Sequence, residues 1–103
     1  MKIKQSAILS SAVAGATINT NEAGFLPGMQ VAAIIGSPGG AFSGTARLQT
    51  SQDGSTWASA VGSSDVTAGG VNVQVITLAQ FVRLNVSAFT SGNIQATILS
   101  DID

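Results

Sequence analysis

The sequence predicts an all-β protein: an antiparallel β-sandwich of six to eight short strands, for which a jelly roll is one arrangement. Three observations carry this. Val, Ile and Thr make up about a quarter of the 103 residues, and β-branched side chains fit a pleated sheet better than a helix. Glu22 is the only glutamate, and Leu and Lys are scarce, so the usual formers of surface helices are missing. Apolar or alternating runs of strand length recur about every eight to twelve residues, separated by Gly-rich turns. The chain is long enough for one core, so residues 1–103 read as a single domain.

The first segment is the most ambiguous. Ile8, Leu9, Ala12, Val13 and Ala16 would share a helix face, whereas Ala7, Leu9 and Val13 would share a strand face. Ser10, Ser11 and the following Thr17-Ile18 favour extended structure. Lys2 and Lys4 before an apolar stretch imitate a secretory signal, but the two serines interrupt that stretch. It is also shorter than the ~20 residues of a membrane-spanning helix. Residues 1–27 are expected to form an extended arm or a first strand.

Residues 18–28 read as a loop. Gln30 to Ile35 is an apolar run fit for a buried strand, stopped at Ser37-Pro38-Gly39-Gly40. Thr45 to Ser51 alternates, with Ala46, Leu48 and Thr50 on one face. Asp53-Gly54 then signals a tight type I′ hairpin, with both residues at positive φ. Ser55 to Val61 returns as a strand and carries Trp57, which is expected in the core. Residues 62–70 are a second loop. Val71, Val73 and Val75 alternate with Asn72 and Gln74 in a strand reaching Leu78. Phe81 to Ala88 is the next strand, with Val82, Leu84 and Val86 on one face. Thr90 to Asn93 turns the chain, and Asn93 to Leu99 is the last strand. The predicted core is Leu48, Val73, Val75, Val82, Leu84, Val86, Ile94 and Ile98.

Composition bears on function by exclusion. There is no Cys, so there is no disulfide, zinc-thiolate site or thiol nucleophile. There is no His, the usual general base and metal ligand. Four cations, Lys2, Lys4, Arg47 and Arg83, are too few for a nucleic-acid footprint. The expectation is therefore no enzyme, cofactor, metal, nucleic acid, membrane or small-molecule substrate. Charged residues are 9% of the chain, against about 25% in a typical soluble protein. So little charge on a small domain implies that other chains cover part of its surface.

Single motifs add little. Asp53 lacks the neighbouring acids of a calcium loop, so it reads as a turn residue. Asp101 and Asp103 form a small acidic end, read as a solvated tail or a partner for a cation. Asn85-Val86-Ser87 matches a glycosylation sequon but lies mid-strand. Gly36-x-x-Gly39-Gly40 has no following Lys and no helix, so it is not a phosphate loop. Arg47 and Arg83 lie opposite the apolar faces of their strands, where Asp65, Glu22 or a partner's carboxylate could pair with them.

Two segments carry a resemblance. Ser51-Gln52-Asp53-Gly54-Ser55-Thr56-Trp57 resembles the S-x-D-G-x-x-W hairpin of small β-sandwich structural proteins of tailed phages. Phe81-Val82-Arg83-Leu84-Asn85-Val86, followed by Thr90-Ser91-Gly92-Asn93-Ile94, is similar to the strand pair that closes those domains. The resemblance implies a non-enzymatic virion protein on the capsid surface. Its commonest form would be a decoration (cement) protein bound to the major capsid protein and to copies of itself, as a dimer or trimer. The alternative it implies is a receptor- or carbohydrate-binding module of a fibre or tail. Ile3, Ile8, Leu9, Phe25, Leu26 and Phe42, apolar groups outside regular alternation, are the expected interface, with residues 1–27 making most of the contact.

Overall fold

A computed structural model of the chain describes residues 2–6, 8–20, 24–26 and 28–100. Glu22, Asp101 and Asp103, considered above as charged partners, lie outside the described residues. The described residues form nine strands: β1 (Lys2–Gln5), β2 (Ile18–Asn19), β3 (Gln30–Gly36), β4 (Ser43–Ser51), β5 (Ala58–Ser59), β6 (Val66–Ala68), β7 (Asn72–Thr77), β8 (Phe81–Ser91) and β9 (Gln95–Ser100). This exceeds the six to eight expected, because β2 and β6 occupy stretches whose composition reads as loop.

The strands build two antiparallel sheets, β1-β9-β3-β7 and β2-β8-β4-β5, with β6 also on β4. Pairing runs inward from the chain ends: β1 with β9, β2 with β8, β3 with β7, and β4 with β5 and β6. Successive pairs fall in alternate sheets. With β5 and β6 counted as one broken strand beside β4, this is the strand order of a jelly roll.

The core lies between the sheets. Val31, Ala33 and Ile35 of β3, Ile76 of β7, and Ala96 and Ile98 of β9 pack against Ala46 and Leu48 of β4 and Val82, Leu84 and Val86 of β8. Leu9, Phe25, Phe42, Leu78 and Ile94 close it. The ring centroids of Phe42 and Phe89 are 6.4 Å apart.

The first segment belongs to this sandwich. β1 pairs with β9, and the Leu9 and Ile94 backbones exchange hydrogen bonds of 2.9 and 3.0 Å. The chain then crosses to the other sheet, where the Val86 amide donates to the Val13 carbonyl and the Gly15 amide to the Leu84 carbonyl. Further on, the buried Thr20 hydroxyl lies 2.8 and 2.9 Å from the carbonyls of Ala79 and Gln80. The described parts of the first twenty residues therefore lace the edges of both sheets together.

Two expectations are corrected. Val73 and Val75 are not core: they are 64% and 58% exposed, and Gln74, Ile76 and Leu78 form the buried row instead. The Gln74 amide can turn inward because it is fully occupied there. It donates to the Ser64 carbonyl at 3.0 Å and to Asn72 Oδ1 at 3.0 Å, and accepts from the Ser64 amide at 3.3 Å. Burying this row covers Ile76 and Leu78, so the valines face out.

The Asp53-Gly54 reversal is also wider than a two-residue type I′ turn. Gly54 has φ +80°, but among the described residues no residue other than glycine has positive φ, so Asp53 does not. The chain reverses over residues 52–57, and Asp53 organises the loop through its side chain.

Candidate interaction surface

The outer side of the four-stranded sheet follows from the register. Ile3 of β1, Leu99 of β9, Ala32 of β3 and Val75 of β7 are successive partners and form one row across all four strands. Gln5, Thr97, Ile34 and Val73 form the next row. Ile3 is 59% exposed, comparable with the two valines, and Val71 extends the patch just before β7. None of the described residues in these rows is charged. Lys4 falls in the opposite register, against Ile98 at the open edge of the sheet. At one end of the patch, Ile34, Gly36, Pro38, Val71, Gln95 and Thr97 are among the residues lining an open recess of about 280 Å³.

The outer side of the five-stranded sheet is built differently. Arg47 Nε donates to Asp65 Oδ1 at 2.8 Å, and its terminal nitrogen donates to the Ser59 hydroxyl at 3.2 Å. Arg83 Nε donates to Gln49 Oε1 at 2.8 Å, and its guanidinium carbon lies 4.1 Å from the centre of the Trp57 ring. Trp57 is therefore half-buried on this outer face, beneath an arginine, and not in the core as expected.

At the end of β4, Asp53 Oδ1 accepts from the amides of Thr56 at 2.9 Å and Ser55 at 2.8 Å, and from the Ser51 hydroxyl at 3.0 Å. The two amides, Thr56 first, and then the hydroxyl hold its carboxyl down at about 2, against the ordinary 3.8. Ser51 Oγ in turn accepts from the Gly54 amide at 2.9 Å. These contacts account fully for Asp53 as a turn residue.

The six expected interface residues divide evenly. Leu9, Phe25 and Phe42 are corrected to core positions: Phe25 and Phe42 are 1% and 2% exposed, and Leu9 packs with them beside Ile94. Their cover comes from distant parts of their own chain. Ile3, Ile8 and Leu26 are exposed. Ile3 joins the apolar rows; Ile8 precedes the crossing between sheets, and Leu26 lies in the loop before β3. Sequence reasoning missed Ala32, Ile34, Val71, Val73, Val75 and Leu99, which make up most of the patch. The available signal was the even-numbered run Gln74, Ile76, Leu78, which competes with the valine row for the inside.

Among the described residues, no group of three or more Asp or Glu side chains comes together as a cation site. The arrangement is a jelly-roll sandwich in which one outer face has apolar rows without a charged side chain among the described residues. No family model, no curated protein and no solved structure matches the chain.

Proposed function

We propose that this chain is a non-enzymatic structural protein of a virion, a capsid decoration protein that stabilises a phage head by contacts across capsid subunits. The observation that carries the reading is the outer face of the four-stranded sheet. Contiguous apolar side chains at the surface of a small domain mark a protein contact, and the rows of this face carry amides and hydroxyls but no charged pair. The resemblance of residues 51–57 and 81–94 to phage structural proteins supports the setting. The fold alone does not, because jelly rolls serve capsids and lectins alike. Exposed Ile8 and Leu26, away from the sheet rows, remain as contacts for the shell. A sugar-binding reading would draw on Trp57 and Phe42, but Arg83 occupies one face of the first and the second is core.

The test is to mix the purified chain with empty heads lacking it and sediment the particles. Saturable co-sedimentation, at a copy number set by the shell's symmetry and with raised resistance of the shell to heat, is the expected result. A chain that stays in the supernatant at all concentrations overturns the reading.

A further inference from the structure

We infer that the outer face of the four-stranded sheet is covered by a second copy of this chain, so that two sandwiches join sheet to sheet about a two-fold axis. The inference takes its setting from the proposed structural role and names the partner of that face.

The first argument is charge. Among the described residues, both arginines and both aspartates lie on the five-stranded sheet, its hairpin or the adjoining loop; none is in the apolar rows. A charged partner would have its ions stripped of water here with nothing opposite to pair with them. The suitable partner surface is flat, uncharged and apolar, with amides and hydroxyls interspersed. The face itself meets that description: Val73, Val75, Ile34, Leu99 and Ile3, with Thr97 and Gln5 between them. A two-fold contact brings one patch against the same patch, so self-complementarity is the only requirement.

The second argument is size. Three strands of six or seven residues and the four-residue edge strand β1, about 4.8 Å apart, present a face of roughly 20 × 20 Å that narrows at β1. Two such faces pressed together remove on the order of 1,000 Å² from water, which is where specific interfaces begin. Sheet-on-sheet packing is also the geometry this sandwich already uses in its own core. The recess beside Ile34 and Val71 offers a socket for a side chain of the other copy, the arrangement found at interface hot spots.

The experiment is sedimentation equilibrium of the full chain without shells, from low micromolar to submillimolar concentration. The expected result is a reversible dimer of twice the 10.3 kDa chain mass. Val73→Asp/Val75→Asp and Val73→Lys/Val75→Lys should each remain single chains over that range. Each should keep the wild-type far-ultraviolet circular dichroism, because both positions are exposed. An equimolar mixture of the two variants should recover the dimer, since opposite charges then meet across the interface. Ser87→Asp, on the other sheet, should leave association unchanged. A wild-type chain of single mass throughout overturns the inference, as does a dimer that survives the Asp pair. A monomeric wild type that binds shells, and loses that binding with the Asp pair, overturns it in favour of a shell protein on this face. A dimer that ignores shells leaves the inference standing and removes the proposed function.

Discussion

On the outside of the five-stranded sheet, Arg47, Asp65, Gln49, Arg83 and Trp57 occupy one another. On the outside of the four-stranded sheet, Ile3, Val73 and Val75 face water, with half-buried Leu99 and Ile34 in the same rows and no such partners. The first face is finished by its own side chains. Its ion pair and ring contact each add little stability, but they leave nothing for another chain to complete. The second face is finished only by another surface. The same sandwich thus separates a side that can stay wet from a side that gains by being covered: both arginines and both described aspartates are on the first, and Lys2 and Lys4, on the edge strand β1, fall in the opposite register to the apolar rows.

The sharpest way to break the comparison lies along β7. Ile76→Ala should destabilise the chain by about 2–5 kcal/mol, because it empties a fully buried site. Val75→Ala, one residue earlier on the same strand, should change stability by less than about 0.5 kcal/mol when measured at high dilution. Urea denaturation of both variants decides the matter. If the valine change were the costly one, the apolar face would be an inner face and the interaction surface would vanish with it.

The polar side is probed at its hairpin. Gly54→Val should cost more than about 1 kcal/mol, since a β-branched residue is strained at positive φ. Crowding is not the cause: an added Cβ would have its nearest contact 3.6 Å away, on the Phe81 ring. Gly54→Asn should therefore recover most of the loss, because Asn tolerates the left-handed region. Melting temperatures that fell equally for Val and Asn would mean that volume, not φ, governs the site.

Smaller again is the Arg83–Trp57 contact. Arg83→Ala should cost about 0.5–1 kcal/mol, the range for an exposed cation over an indole. It should also shift Trp57 fluorescence to longer wavelength as that ring face meets water. An unchanged emission spectrum would show that the arginine does not cover the ring, and would reopen the face as a binding platform.

Most of the strands were legible in the sequence because alternation and turn residues are local. Gln30–Gly36, Ser43–Ser51 and Phe81–Ser91 lie close to where their apolar periods place them. What was not legible is which side of a strand is inside. The stretch 71–78 has two rows that both carry apolar groups, and a period of two defines faces without saying which is buried. The decision falls to Ser64, whose backbone occupies the amide of Gln74 in a contact that no local pattern encodes. The same holds for Leu9, which finds cover against Ile94 near the other end of the chain. Half of the expected interface was therefore core, and most of the actual patch lay among residues assigned to the core or left without a role.

The smallest expected effect concerns Asp53, in the hairpin on the polar side. Amides of Thr56 and Ser55 and the hydroxyl of Ser51 donate to its ionised form, which lowers its folded pKa to about 2 from 3.8. The unfolded chain binds this proton more tightly than the folded one. Stability from the turn is thus fully present above the unfolded value and is lost as pH falls through the folded one. Asp53→Asn keeps an oxygen that can accept from both amides but has no charge to lose. The difference in melting temperature between wild type and Asp53→Asn should be constant above about pH 5 and shrink between about pH 4 and pH 2. Comparing the two chains cancels the titration of the other carboxylates, so a difference that stayed flat through that window would show that Asp53 does not hold the hairpin through its charge. The apolar face has no described titratable group in its rows, and dimerisation measured over the same window in the two chains should respond to acid identically.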